Sequence, residues 1–124
     1  MMKIGEKIQS ADWKAEKHVP VIEAPEKVEA GKPFQVTVSV GKEIPHPNTI
    51  EHHIRWIDVY FQPEGDKFVY QVAHIDFAVH GEGTAYAHPV AVFSMQVEKP
   101  GTLIALSLCN IHGLWESSQE IEIG

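Results

Sequence analysis

The sequence is poor in cysteine, since Cys109 is the only one among 124 residues. A single thiol cannot form an internal disulfide, so a reducing compartment is expected. No unbroken apolar run is long enough to span a bilayer, which predicts no membrane partner. The opening stretch MMKIGEKIQSADWK is charged throughout and lacks the apolar core of a signal peptide. These absences together predict a cytoplasmic protein.

Basic residues are also scarce, with ten Lys and Arg against seventeen Asp and Glu, for a formal net charge of −7. Nucleic-acid phosphates need a basic surface, so this balance argues against a nucleic-acid partner. Histidine, by contrast, is abundant, with eight copies. Because histidine is the commonest metal-ligand side chain, the question becomes whether several of them converge.

The length of the chain suits one domain covering residues 1–124. No segment shows the periodicity of a helix. Several short segments instead alternate apolar and polar residues or are rich in β-branched and aromatic ones, with turn signals between them. The first thirty residues are predicted as loop and short extended pieces. The predicted strands are FQVTVSV (34–40), HIRWIDVYF (53–61), FVYQVAHIDFAV (68–79), VAVFSMQV (90–97), TLIALSLC (102–109) and a short closing strand, QEIEIG (119–124). This pattern predicts an all-β, antiparallel β-sandwich.

Candidate metal ligands fall in loops or at strand ends of this sandwich. His18 lies in the irregular first segment, His46 in a proline-rich loop, His52 at the mouth of a strand and Cys109 at the end of another. Loops cluster at the ends of a sandwich, so these four can gather at one end. His53 follows His52 directly and, in extended chain, points to the opposite side, so only one of the two is expected to face a shared site.

The remaining histidines, His74, His80 and His88, are scattered. A lone histidine is more often a surface residue or a hydrogen-bonded core residue than a ligand. We therefore expect structural roles for all three.

Cys109 and His112 form a C-x-x-H turn that brings a thiolate and an imidazole within reach of one ion. Two other interpretations remain open at this point. Cys109 can be a buried free cysteine that packs as a small hydrophobe, or the nucleophile of a Cys–His pair, which usually recruits a histidine distant in sequence.

The ligand types narrow the choice of metal. A structural zinc site usually contains two or more cysteines, and blue copper needs a weak axial methionine beside two histidines and one cysteine. All three methionines precede Cys109. Four histidines and one thiolate suit a five-coordinate iron with an open position, where the thiolate pushes electron density toward the bound group. A cupredoxin-like electron-transfer protein remains the alternative, and a metal-free interaction module is a third possibility.

Three motifs together carry a family resemblance: EKHVP (16–20), HPNTIEHH (46–53) and CNIHGLW (109–115). In order and spacing they resemble the superoxide reductases of the neelaredoxin type, the single-domain branch of the desulfoferrodoxin family. The resemblance implies an immunoglobulin-like sandwich, one mononuclear iron (Fe2+/Fe3+) per chain and a homotetramer. Longer members carry an additional N-terminal domain with a four-cysteine iron centre, which a chain with one cysteine cannot build.

The resemblance also implies a reaction and a set of roles. The reaction is the one-electron reduction of superoxide to hydrogen peroxide, with a rubredoxin-like protein returning the electron. The implied groups are four imidazole ligands (His18, His46, His52 and His112), an axial thiolate (Cys109), a carboxylate that takes the sixth position in the oxidised state (Glu16) and a lysine held near the substrate (Lys17).

Lys17 has an electrostatic task in this hypothesis. A chain with a net charge of −7 repels a small anion, so capture of superoxide needs local positive charge at the open face. Lys17 is expected to supply that charge, with Lys14 and Lys42 as further contributors.

Overall fold

A computed structural model describes all residues 1–124, and the fold consists almost entirely of strands. Two short 3-10 turns, Ile4–Lys7 and Glu82–Thr84, are the only helical pieces. No helix has the length and apolar character needed to cross a membrane. The eight strands are β1 (Pro20–Glu23), β2 (Lys27–Val28), β3 (Phe34–Val40), β4 (Ile54–Pro63), β5 (Tyr70–Asp76), β6 (Val90–Met95), β7 (Gly101–Cys109) and β8 (Gly113–Ile123).

The strands form two sheets that pack face to face. One has three strands in the order β1-β3-β6, and the other has five in the order β2-β8-β7-β4-β5. All pairings are antiparallel except the two-residue contact of β2 with β8, which is parallel. The prediction of an all-β, immunoglobulin-like antiparallel β-sandwich is confirmed.

The alternating segments owe their strand form to burial of one face. In β3, Val36 and Val38 are fully buried, whereas Gln35 between Phe34 and Val36 is exposed. In β7, every second residue from Leu103 to Cys109 faces the core. Burial of a valine or leucine side chain contributes about 1.5–3 kcal/mol, so the two inner faces supply the main driving force for the sandwich. Cys109 belongs to this core.

The final strand is longer than the sequence pattern predicts. The prediction that it starts at Gln119 is wrong, because β8 begins at Gly113 and pairs with β7 from Cys109↔Gly113 to Gly101↔Ile121. Residues 113–118 lack clear alternation, and their backbone is held extended by the ladder with β7. The first thirty residues contain β1 and β2, which are short extended pieces as expected.

The strand register brings the candidate ligands to one end of the sandwich. The first residue of β1 pairs with the last of β3 (Pro20↔Val40), and the first of β4 pairs with the last of β7 (Ile54↔Cys109). The chain before β1, the segment 41–53 and the turn 110–112 therefore meet at the same edge. The Ser117 hydroxyl donates to the Pro20 carbonyl at 2.6 Å and fastens the two sheets together there.

Candidate metal centre

Five side chains with metal-binding atoms converge at this end. The ligand atoms of His18, His46, His52 and Cys109 all lie within 4.8 Å of one another. His112 joins them, since its Nδ1 lies 3.1 Å from His18 Nε2 and 3.7 Å from Cys109 Sγ. Four nitrogens and one sulfur gathered so closely have the donor set of a single metal ion.

The four imidazoles stand in a ring. Neighbouring ring centroids are separated by 4.9 Å for His18–His46, 4.7 Å for His46–His52, 5.0 Å for His52–His112 and 4.7 Å for His112–His18. The distance across the ring, from His18 to His52, is longer, at 6.2 Å. Four nearly equal sides and a longer diagonal describe a square-like arrangement, which suits four equatorial nitrogen ligands.

Glu16 fixes the orientation of His18. Its Oε1 accepts the His18 backbone N–H at 2.9 Å and lies 2.6 Å from His18 Nδ1, which donates to it. Partial burial raises the pKa of Glu16, but these hydrogen bonds from His18 outweigh it and leave that pKa below its ordinary value. With the proton on Nδ1, the Nε2 lone pair of His18 faces the cluster. The Trp115 ring stacks on the His18 imidazole, with 5.0 Å between the ring centroids.

His46 and His52 test whether a metal fits this space. His46 Nδ1 donates to the Pro47 carbonyl at 2.6 Å, so its Nε2 carries a lone pair. The Nε2 atoms of both His46 and His52 are buried and have no hydrogen-bond partner. Burial lowers the pKa of His46 to about 4 and also lowers that of His52. Unpaired buried ring nitrogens are costly, and a metal ion would satisfy both.

The turn between β7 and β8 places Cys109 and His112. Only three residues separate Cys109 from Gly113, which adopts a left-handed φ of +79° to close the turn. This short loop aims the His112 backbone N–H at Cys109 Sγ, at 3.4 Å. Cys109 is 1% exposed, so its sulfur reaches the cluster from the core, and a metal there would bind it as thiolate.

Comparison with known proteins agrees with this geometry. The Desulfoferrodoxin family matches residues 10–118. The chain belongs to the desulfoferrodoxin family. It is 53% identical to the neelaredoxin of Megalodesulfovibrio gigas over 98% of this chain and 99% of that one. It is also 53% identical to the superoxide reductase of Pyrococcus furiosus, over 96% and 99%. Among solved structures, the reduced superoxide reductase (neelaredoxin) of Archaeoglobus fulgidus has a TM-score of 0.85 and 53% identity, covering 94% of this chain and 98% of that one.

In this desulfoferrodoxin-family chain, Lys17 is half-buried between Glu16 and His18. Its charge reaches the site, because it adds to the lowering of the pKa of His46 and His52 that burial begins. The other two lysines of the predicted positive patch share one aromatic ring. The Lys14 and Lys42 ammonium groups lie 5.7 and 5.6 Å from the centroid of Trp13.

His53 and His80 lie outside the cluster. His53 Nδ1 donates to the Thr49 carbonyl at 2.9 Å, and its Nε2 accepts from Arg55 Nε at 3.1 Å. The His80 ring stacks on His53 at 3.5 Å and is nearly parallel to it. His52 therefore faces the site and His53 does not, as expected for this pair.

His74 and His88 are also remote from the cluster. His74 bridges two carboxylates: its Nδ1 bonds to Asp58, and its Nε2 lies 3.0 Å from Asp76 Oδ1. His88 is exposed. Neither is among the clustered ligands, as expected for both.

Several residues that shape the site escaped the sequence analysis. Trp115 stacks on His18 and donates its indole N–H to the His112 carbonyl at 3.2 Å. Gly41 lies so close to the His46 backbone that a Cβ at position 41 would come within 2.6 Å of His46 N. Asn110 bonds to the chain around His52. The tryptophan and the asparagine stand inside the CNIHGLW motif, so their position was the available signal.

Proposed function

We propose that this chain is a superoxide reductase that converts superoxide to hydrogen peroxide at a mononuclear non-haem iron. The observation that carries the proposal is the square of four imidazoles beside a buried cysteine, with the Nε2 atoms of His46 and His52 unpaired. The relatives named superoxide reductase and neelaredoxin support it over almost the whole chain. The iron ligands are His18, His46, His52, His112 and Cys109.

The reaction is balanced by one electron and two protons per superoxide, giving one hydrogen peroxide. When bound, the iron supplies the electron and regains it from a donor. The five protein ligands would hold the ion and would leave it open to the substrate. We propose one iron per chain, because the five ligand atoms form one cluster.

Cys109 and the residues around it set the electron density at the centre. Burial excludes water from the sulfur, and the His112 N–H directed at Sγ moderates the charge of the thiolate. A thiolate ligand favours electron transfer to a group bound at the open position. Cys109 therefore tunes the centre while the imidazoles hold it.

Lys17 and Glu16 act on the substrate side. Lys17 attracts the superoxide anion into a molecule of net charge −7 and orients a water that delivers a proton to the product. Glu16 would supply a further carboxylate ligand to the oxidised metal. Its Oε1 bonds to His18 in this structure, which keeps the carboxylate next to one of the proposed ligands.

The electron donor and the assembly follow from the same proposal. Each turnover consumes one electron, so a small redox protein of the rubredoxin type is the proposed donor. We also propose a homotetramer, which the resemblance to the single-domain branch implies. We further propose a cytoplasmic location, since a single cysteine suits a reducing compartment. A cupredoxin-like carrier needs two histidines, and the four-imidazole cluster gives no support to it.

The decisive experiment is the metal content of protein produced in iron-supplied cells. We expect about one iron per chain, lost in Cys109→Ser, His46→Ala and His112→Ala and retained in His88→Ala, the exposed control. The iron-loaded protein should then consume superoxide and form one hydrogen peroxide for each electron supplied. Copper in place of iron would favour the electron carrier, and no stoichiometric metal would reject the site altogether.

A further inference from the structure

Asn110 joins two ligand-bearing segments that are far apart in sequence. Its backbone N–H donates to the His53 carbonyl at 3.1 Å. Its side-chain Oδ1 accepts the His53 backbone N–H at 2.9 Å, and its Nδ2 donates to the Glu51 carbonyl at 2.9 Å. Asn110, in the turn between β7 and β8, thus makes three hydrogen bonds to the segment that precedes β4.

The bonded groups bracket one proposed ligand and adjoin another. Glu51 and His53 stand on either side of His52, and Asn110 directly follows Cys109. Outside the strand ladder, Asn110 supplies all the hydrogen bonds between residues 46–53 and the turn 110–112. The distance between the His52 imidazole and the Cys109 sulfur therefore depends on Asn110 as well as on the Ile54↔Cys109 pairing.

The bonds that remain within residues 49–53 are local. Thr49 Oγ1 accepts the His52 N–H at 3.0 Å, and the Thr49 N–H donates to the His52 carbonyl at 2.9 Å. They give the segment its shape, but they do not fix where it sits relative to Cys109. Beyond the Ile54↔Cys109 pairing, Asn110 supplies that placement.

The side chain at position 110 must be an asparagine to make both contacts. One end meets a backbone donor and the other a backbone acceptor, so the amide fits in only one orientation. A carboxylate keeps the acceptor but loses the donor toward Glu51, and an alanine loses both. Asn110 is exposed, so replacing it removes little packing.

We propose that Asn110 is a positioning residue for the metal centre: it holds Cys109 and His52 at the separation that one ion requires. The inference rests on the proposed metal site and adds a residue that touches neither metal nor substrate. Residues that orient ligands in this way typically change metal affinity by about 10- to 100-fold when they are replaced.

The test uses Co²⁺ as the probe, because its thiolate charge-transfer absorption reports the Cys109 bond directly. Wild-type protein, Asn110→Ala and Asn110→Asp are loaded with Co²⁺, and the loss of that absorption is followed after addition of EDTA. Gln119→Ala is the matched control. It also removes a hydrogen bond donated by a side-chain amide, in this case from Gln119 on β8 to the Ala24 carbonyl at 3.0 Å. Urea unfolding of each metal-free protein gives its fold stability.

We expect Asn110→Ala to lose Co²⁺ about tenfold faster than Gln119→Ala, with Asn110→Asp between them. In the metal-free chain, the His53 amide should exchange faster in Asn110→Ala. If Asn110→Ala fails to fold, Asn110→Asp is judged by the same criterion. Equal loss rates in the variants and the control would overturn the role of Asn110 alone, whereas a wild-type chain without thiolate absorption would overturn the metal site as well.

Discussion

Substitution of Lys17 tests whether its charge attracts superoxide to the site. Lys17→Ala should slow superoxide capture by about two- to tenfold at low ionic strength and flatten its salt dependence, while iron stays bound. Pulse radiolysis measures the second-order rate, and metal analysis the iron. Lys32→Ala is the control, because it removes the same charge from an exposed lysine paired with Glu29. An unchanged rate would remove the steering role.

Glu16 has two proposed functions that two substitutions distinguish. Glu16→Gln keeps an oxygen acceptor for His18 but removes the anionic ligand, and Glu16→Ala removes both. We expect both variants to turn over and to bind azide or cyanide more readily when oxidised, and only Glu16→Ala to hold the metal less tightly, since the orientation of His18 is lost. Optical titration with azide checks the first effect. Azide affinity equal to wild type would show that Glu16 is not the sixth ligand.

For individual residues, the sequence indicated which side chains to expect at the site but not how their orientations are fixed. His18, His46, His52, Cys109 and His112 all stood in recognisable motifs, and the structure brings them together. Their ring orientations depend on partners that no spacing reveals, such as the Pro47 carbonyl on His46.

The segment that follows β3 depends on a glycine. Gly41 has a φ of +90°, and a Cβ there would lie 2.6 Å from His46 N, so the chain must shift to accommodate one. Gly41→Ala should therefore destabilise the protein by at least about 1 kcal/mol more than the left-handed conformation alone costs, and it should weaken metal binding by displacing His46.

Gly65→Ala is the matched control for that substitution. Gly65 has a similar φ of +82° but nothing within 4 Å of the position of a Cβ. We expect it to cost about 1 kcal/mol and to leave metal binding unaltered. Urea unfolding and Co²⁺ titration measure the two effects. Equal stability and equal Co²⁺ affinity of the two variants would mean that the contact with His46 affects neither.

Among the strands, predictability followed the burial pattern. β3 was predicted to its exact bounds, because FQVTVSV buries alternate residues on one face. The first half of β8 was not, since its extension is imposed by β7 and leaves no local signature. The meeting of strand ends depends on pairings such as Ile54↔Cys109, which no single segment encodes.

The pH dependence of the whole molecule's stability contains a contribution from His74. The hydrogen bond to Asp58 raises the pKa of His74 above its ordinary value, and Asp76 adds to the effect. The folded state therefore binds this proton more tightly than the unfolded chain does. Its stabilisation is fully present below pH about 6.5, the unfolded value, and is lost as the pH rises through the folded pKa.

Urea unfolding between pH 5 and pH 9 measures this contribution. The stability difference between wild type and His74→Gln should shrink as the pH rises, because His74 loses its proton and with it the charge that pairs with the two aspartates. The exposed His88, replaced by Gln, serves as the control and should show no such trend relative to wild type. A constant difference for His74→Gln would contradict the assignment.

The order in which the chain is made also bears on the centre. His18 and His112, neighbours in the ring of imidazoles, are 94 residues apart in sequence. At a synthesis rate of roughly 5–20 residues per second, about 5 to 20 seconds pass between the first of these histidines and the last. During that interval the growing chain adds His46 and then His52, and the thiol of Cys109 arrives only three residues before His112. The ligand set therefore stays incomplete until the turn between β7 and β8 has been made, so all five groups could hold a metal ion only after that point.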